Sequence, residues 1–118
     1  MRAHAFVAIH QEQNPGPAAI AVVCFSIAGA PDAKRSARMV TGPAGVAVSL
    51  TNHQAMGAAV AGALRVLAAR GCDDGWVWCN MASWIDAWNA RRANPIAPVP
   101  EWLAEAWGLV SADKRTVR

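Results

Sequence analysis

Few side chains of this sequence could take part in acid–base, nucleophilic or metal chemistry. The cysteines occupy positions 24, 72 and 79, without the paired spacing of a zinc site or the even count of a disulfide framework. His10, Cys79 and Asn80 would resemble a thiol-enzyme set if the ends of their strands met. Because successive strand residues point to opposite faces, Cys79 and Asn80 would not line one pocket together. We therefore interpret Cys79 as a small buried apolar residue.

The charged residues predict only a weak attraction to polyanions. Eleven Lys and Arg against eight Asp and Glu give a formal net charge of +3, far from the dense basic surface of a dedicated nucleic-acid clamp. Hydrophobic residues make up 54% of the chain and charged residues 16%, which excludes a disordered chain. The basic residues form three groups: Lys34, Arg35 and Arg38; Arg91 and Arg92; Lys114, Arg115 and Arg118.

The length predicts one domain with one core. The chain has 118 residues, which we divide into a core at 1–110 and a basic tail at 111–118. Its longest nearly apolar run, 18–30, is too short to span a bilayer. The N-terminus lacks the layout of a signal peptide. Together with the unpaired cysteines, these features predict a soluble cytoplasmic protein with no membrane partner.

The elements that position the polar residues follow from hydrophobic periodicity and turn residues. The segment 14–17 (Asn-Pro-Gly-Pro) is strong turn chemistry between two apolar segments of β type. Thr51 or Asn52 can cap a long Ala-rich helix that ends at Gly71. The predicted strands are 3–9, 18–28, 36–41 and 75–80, and the predicted helices are 55–70, 81–92 and 100–107.

This element order predicts an α/β fold with a mixed sheet. Three antiparallel strands are followed by a helix and a fourth strand, an order that indicates a right-handed parallel crossover, and a short fifth strand is left open. Gly57 and Gly62 each cost the long helix about 1 kcal/mol relative to Ala, so we expect a neighbouring backbone to approach them closely. The tryptophans at 76, 78, 84 and 88 pair on strand or helix faces and are expected in the core, whereas Trp107 is expected to be exposed.

These landmarks resemble those of a small ribonuclease H. In that family a first strand leads into a loop with Asn-Pro-Gly-Pro, here 14–17, and Thr-Asn begins the central helix, here Thr51 and Asn52. A tryptophan-bearing helix with a basic protrusion resembles 84–92, and a proline-then-tryptophan helix resembles 98–107. The resemblance covers most of the chain and implies a ribonuclease H-like sheet that is truncated at its C-terminal end.

The resemblance also implies two-metal hydrolysis, for which the family supplies four carboxylates around two Mg²⁺ ions. The first-strand acid falls on Ala8, or on His10 if the loop is shortened by two residues. The helix acid falls on Met56 and the fourth-strand acid on Asn80, and the chain stops near or before the position of the last acid. Because none of these positions carries a carboxylate, we predict no metal, no cofactor and no catalytic residue, and a chain that is not an enzyme.

The nucleic-acid contacts of the family carry over to five residues. Asn14, Thr51 and Asn52 match positions that touch the backbone and 2′-hydroxyl groups of the duplex, and Arg91 and Arg92 match the basic protrusion that grips the hybrid. Each residue also has an ordinary structural role. Asn14 could close its loop, Thr51 and Asn52 could cap the helix, and the arginines could be solvated surface.

We predict from this resemblance a catalytically inactive ribonuclease H-like domain that binds nucleic acid, as an RNA–DNA hybrid or duplex, or a nucleoprotein complex. The alternative is a protein-interaction or inhibitor module that uses the fold as a scaffold, with a mobile genetic element as its source. An exposed edge of the shortened sheet would pair two copies into a homodimer.

Overall fold

A computed structural model of the chain describes residues 2–26, 34–71, 74–94, 96–110 and 116–117. Lys114, Arg115 and Arg118 of the predicted tail lie outside the described residues. No helix within these ranges is long and apolar enough to cross a membrane. The strands are β1 (Arg2–His10), β2 (Ala19–Ser26), β3 (Lys34–Met39), β4 (Asp74–Trp78) and β5 (Thr116–Val117). The helices are α1 (Asn52–Ala69), α2 (Ala82–Ala93) and α3 (Glu101–Val110).

The strands form one sheet in the order β3-β2-β1-β4-β5. β1, β2 and β3 are antiparallel neighbours, β4 runs parallel to β1, and β5 runs parallel to β4. This arrangement confirms the predicted mixed sheet with its parallel crossover. Residues 116–117, which we had assigned to the tail, pair with Trp76 and Val77 of β4. The homodimer through an exposed sheet edge stays a prediction. Because β5 pairs with β4, part of the β4 edge is already occupied.

One face of the sheet, here called the inner face, packs against α1. Alternate residues of the central strand are buried there, among them Ala5 and Val7, and β2 contributes Ile20 and Val22. The buried residues of α1 form a nearly continuous surface against the sheet. Most of them are Ala, and only a few are larger, such as Leu64. Small side chains at these positions allow the helix to lie close to the sheet.

The opposite, outer face of the sheet carries a group of aromatic rings. Phe6 stacks on Trp78 with the ring centroids 5.8 Å apart, and Trp78 in turn stacks on His4 and donates from Nε1 to its Nδ1 at 2.7 Å. The prediction that Trp76 and Trp78 pack beneath helices is therefore wrong. Both do share one strand face, but the β4 residue that points inward to α1 is Val77.

The tryptophans of α2 and α3 form the second part of the core. Trp84 and Trp88 are fully buried and stacked, which confirms their prediction. Trp107 is half-buried, with its ring 5.0 Å from that of Trp88 and 5.4 Å from the Arg91 guanidinium carbon. The expectation that Trp107 is exposed is wrong, because Trp88 and the Arg91 guanidinium group cover part of its ring.

The two glycines within α1 have different surroundings. A Cβ atom on Gly57 would overlap the carbonyl oxygen of Trp102, so the backbone of α3 lies directly on α1 at this point. No atom outside the helix backbone lies within 4 Å of the corresponding Cβ position on Gly62. The predicted close approach is confirmed at Gly57 and is wrong at Gly62.

This difference makes a matched pair of substitutions. We expect Gly57→Ala to lower the free energy of unfolding by about 2 kcal/mol or more, because the added methyl group must push α3 away. Gly62→Ala should raise the free energy of unfolding by about 0.5–1 kcal/mol, because Ala has the higher helix propensity and no clash. Urea unfolding followed by tryptophan fluorescence measures both values. Equal stability of the two variants would show that α3 does not contact α1 in this way.

Candidate nucleic-acid interface

The loop between β1 and β2, residues 11–18, is fastened to the segment that precedes α1. Gly16 and Leu50 exchange two backbone hydrogen bonds, each 2.9 Å long. The amide of Gln11 donates to the carbonyl oxygens of the same two residues at 3.2 and 2.9 Å. These bonds use the backbone polar groups of the turn, so the loop is held at a fixed distance from the start of the helix.

The first turn of α1 is capped from two directions. Thr51 is the N-cap residue: its hydroxyl accepts from the backbone N–H of Gln54 at 3.1 Å, and the Gln54 side chain accepts from the Thr51 backbone N–H at 2.9 Å. Asn14 reaches across from the loop, and its Oδ1 accepts from the backbone N–H of Asn52 at 3.0 Å. Asn14, Thr51 and Asn52, which the sequence analysis singled out separately, are thus brought together at one helix end.

Asn52 also fixes a histidine that the sequence analysis did not select. Its Oδ1 accepts from the backbone N–H of His53 at 2.9 Å and lies 3.0 Å from the ring Nδ1. The other ring nitrogen of His53 lies 2.8 Å from the Ser83 hydroxyl, and the ring packs 4.9 Å from that of Trp102. These partners lie far apart in sequence, and only the packing of α2 and α3 against α1 brings them together.

A cleft of about 560 Å³ opens beside this helix end. The oxygen atoms of the Asn14 and Asn52 amides are already used by backbone donors, which fixes the orientation of both groups. Nothing in the described part of the chain accepts a hydrogen bond from their NH₂ groups. Both side chains therefore contribute unused donors to the cleft. The described residues that line it are Asn14, Pro15, Thr51, Asn52, His53, Gln54, Glu101 and Trp102.

The two predicted arginine contacts do not line this cleft. They lie in the last turn of α2, where Arg91 donates from Nη1 to the carbonyl oxygens of Ala97 and Asn94 at 3.1 and 3.4 Å. With its guanidinium group also over Trp107, Arg91 holds the segment that leads into α3. Arg92 is exposed.

The positions that match the acids of the resemblance do not fit a pair of Mg²⁺ ions. Ala8, His10 and Asn80 are exposed, whereas Met56 is fully buried in the core. Methyl, imidazole, amide and thioether groups lack the hard anionic oxygens that Mg²⁺ prefers. Within the described ranges, no three His, Cys, Asp or Glu side chains are grouped as a metal ion would need.

The structure also separates the residues of the thiol-enzyme set. Cys79 belongs to the hydrophobic core, whereas His10 is exposed at the end of β1. Burial raises the pKa of the Cys79 thiol, and a weak bond to the Met81 carbonyl oxygen opposes this only in part. A raised thiol pKa keeps the nucleophilic thiolate scarce at neutral pH.

Comparison with solved structures finds close matches of fold at low sequence identity. RNase H1 of the halophilic archaeon Halobacterium salinarum aligns with 99% of this chain and 83% of its own, at 21% identity and a TM-score of 0.72. The N-terminal RNase H domain of a Mycobacterium tuberculosis protein aligns with 98% and 78%, at 16% identity and a TM-score of 0.75. LC11-RNase H1, solved in complex with an RNA/DNA hybrid, aligns with 98% and 83%, at 19% identity and a TM-score of 0.68.

No protein-family model and no curated protein sequence matches the chain. The structural matches nevertheless correct one sequence prediction. The sequence predicted that the chain is not an enzyme, from Ala8 or His10, Met56 and Asn80 at the acid positions and from a chain that stops near or before the last one. That prediction is wrong as drawn, because each solved structure named above is a ribonuclease H, and side chains at positions matched by resemblance do not exclude an enzyme. What the backbone comparison establishes is the architecture: the chain has a ribonuclease H-like fold.

Proposed function

We propose that the chain binds an RNA–DNA hybrid in the cleft at the start of α1. One observation carries this proposal: the amide oxygens of Asn14 and Asn52 are held by backbone N–H groups, which leaves both NH₂ groups as fixed, unused donors. Phosphate and 2′-hydroxyl oxygens are the acceptors that a nucleic-acid backbone presents to such donors. The structural role of each asparagine and its binding role thus use different atoms.

Apart from the exposed carboxylate of Glu101, which also lines the cleft, the surroundings of the cleft support a polyanionic ligand in the same place. The N-terminal end of α1 carries the positive end of the helix dipole and no acidic residue in its first turn. His53, whose two ring nitrogens are held by Asn52 and Ser83, adds a ring on which a base can stack. A solved neighbour with this fold was determined with an RNA/DNA hybrid bound, which makes a hybrid the first ligand to test.

Replacing each asparagine by aspartate removes the NH₂ donor and keeps the oxygen that accepts the structural hydrogen bond. Asn14→Asp and Asn52→Asp keep the oxygen that accepts from the backbone N–H, but they put a second, negatively charged oxygen where the NH₂ group was. We expect each to lower the affinity for a 12-base-pair hybrid by about ten- to a hundredfold, because a hydrogen bond to a charged group is lost and repulsion is added. Fluorescence anisotropy at low salt measures this change.

Ala68→Asp is the control, because Ala68 is exposed in the last turn of α1, at the end opposite to the cleft, and does not line it. It makes the same change of charge and should alter the affinity less than threefold at moderate salt, where distant charges are screened. All three variants should keep the unfolding temperature of the parent chain within a few degrees. If Asn14→Asp and Asn52→Asp bind hybrid as the control does, the cleft is not the binding site.

Replacing the two arginines of α2 one at a time tests the proposed phosphate contact of Arg92 and the structural bonds of Arg91. We propose Arg92 as a phosphate contact, so Arg92→Gln should lower the affinity equally for all hybrid sequences and reduce the slope of log affinity against log salt by about 0.9. Arg91→Gln should in addition lower the unfolding temperature, because Arg91 bonds two carbonyl oxygens and covers Trp107. Salt titrations and thermal unfolding check both. An unchanged salt slope in Arg92→Gln would remove Arg92 from the interface.

Binding of hybrid should not require a divalent metal ion. The positions that match the acids of the resemblance offer methyl, thioether and amide groups, and the proposed contacts are hydrogen bonds from the protein itself. Replacing Mg²⁺ by EDTA at matched ionic strength should therefore change the dissociation constant less than twofold. A large loss of affinity in EDTA would show that a metal ion bridges protein and nucleic acid.

The protein-interaction alternative predicts that the chain binds no nucleic acid. If hybrid, duplex and single strands all fail to bind at low ionic strength, where phosphate contacts are strongest, the nucleic-acid proposal fails and the protein-interaction alternative is the one left to test.

A further inference from the structure

A second concavity lies on the other side of the β1–β2 loop. Its volume is about 460 Å³, and it opens on the outer face of the sheet. His10, Ala19 and Met39 are register neighbours across β1, β2 and β3, and together they form its floor. The loop supplies the remaining described lining residues, Glu12, Gln13 and Pro17. The loop thus separates this pocket from the cleft, and consecutive residues face the two concavities: Gln13 lines the pocket and Asn14 lines the cleft.

Unlike the cleft, the pocket has no helix N-terminus among its described lining residues to offset its carboxylate, and its lining favours a planar, uncharged ligand over a phosphate. Glu12 is exposed, and no hydrogen bond or ion pair holds its carboxylate within the described residues. No Lys or Arg is among the described residues that line the pocket, so the carboxylate would repel an anion. Met39, Pro17 and Ala19 offer apolar surface to the faces of a ring, and the volume is that of a site for a nucleobase with its sugar.

The carboxylate of Glu12 further selects among the bases. Its two oxygens accept hydrogen bonds side by side, and therefore match two neighbouring N–H donors. Guanine presents such a pair on its Watson–Crick edge, N1–H and the N2 amine. Adenine and cytosine place an acceptor next to their single amine, and uracil and thymine place carbonyl oxygens on both sides of one N–H. The Gln13 amide, on the next residue of the pocket lining, supplies a donor for the guanine O6.

We propose that this pocket binds a guanine base of a single strand that extends from the hybrid, with Glu12 accepting from N1–H and N2–H. The proposal rests on the proposed function in one respect only, namely that the hybrid in the cleft brings its single-stranded end to the loop. A base that leaves the stack is bound between side chains and recognised through its Watson–Crick edge. Here His10 and Met39, in the floor of the pocket, contact one face of the ring, and Glu12 contacts the edge.

The test compares one hybrid with different single-stranded ends. Four probes share a 12-base-pair RNA–DNA hybrid: one is blunt, and three carry a four-nucleotide DNA extension that alternates thymine with guanine, inosine or adenine. We expect the guanine extension to bind about tenfold more tightly than the adenine extension, within the range that a bidentate base contact supplies. Inosine lacks the N2 amine and should bind with intermediate affinity.

Glu12→Gln removes the charge and one of the two acceptors, and it should make the guanine and adenine extensions bind alike. Glu105→Gln is the matched control, because it makes the same charge change on α3, where Glu105 pairs with Arg65 outside both concavities. It should keep the guanine preference. Met39→Ala should weaken all extended probes together and leave the ratio between guanine and adenine unchanged, because it removes contact with the ring faces only.

The outcomes separate this inference from the proposed function. Equal binding of the guanine and adenine extensions by the parent chain overturns the inference, as does a guanine preference that survives Glu12→Gln. If the blunt hybrid binds and the extensions add no affinity, the pocket assignment fails while the hybrid site stands. If the blunt hybrid does not bind but the isolated guanine-containing strand does, with a preference that Glu12→Gln removes, the pocket assignment stands and the hybrid site fails.

Discussion

The pairing of Gly16 with Leu50 is the constraint on which both concavities depend. Two backbone hydrogen bonds, backed by the amide of Gln11, hold the β1–β2 loop against the segment before α1. With the loop held in this position, Asn14 reaches the first turn of the helix. The loop also lies between the cleft and the pocket and contributes residues to the lining of both. Backbone bonds of this kind do not depend on side-chain identity, so the loop can vary its polar residues while its position stays fixed.

The other wall of the cleft depends on the close contact between α1 and α3. Gly57 lets the carbonyl oxygen of Trp102 approach the α1 backbone, and Trp102 then packs on His53 one turn earlier in the helix. A larger residue at position 57 would move α3 and with it the aromatic surface beside His53. The stability of the α1–α3 contact and the shape of the cleft therefore both depend on the absence of a side chain at Gly57.

Local patterns were sufficient to predict the elements, their order and the residues at the start of α1, because capping and turn residues act within a few positions of themselves. Contacts between distant segments were not predictable in the same way. The outward position of Trp76 and Trp78 depends on which face of β4 meets α1, and a strand whose residues are nearly all apolar carries no signal for that choice. Likewise, Gly57 and Gly62 have the same local sequence cost, and only the position of α3 distinguishes them.

The polar groups on the two sides of the β1–β2 loop have opposite hydrogen-bonding character. On the cleft side Asn14 offers a donor, since its oxygen is used by the helix, whereas on the pocket side Glu12 offers only acceptors. A nucleotide divides in the same way: its phosphate and sugar oxygens accept, and the Watson–Crick edge of guanine donates. A strand that crosses the loop from cleft to pocket would thus meet donors where it has phosphates and acceptors where it has a guanine. Because Glu12 would repel a phosphate, a strand in the reverse orientation, with its phosphates on the pocket side, would be disfavoured.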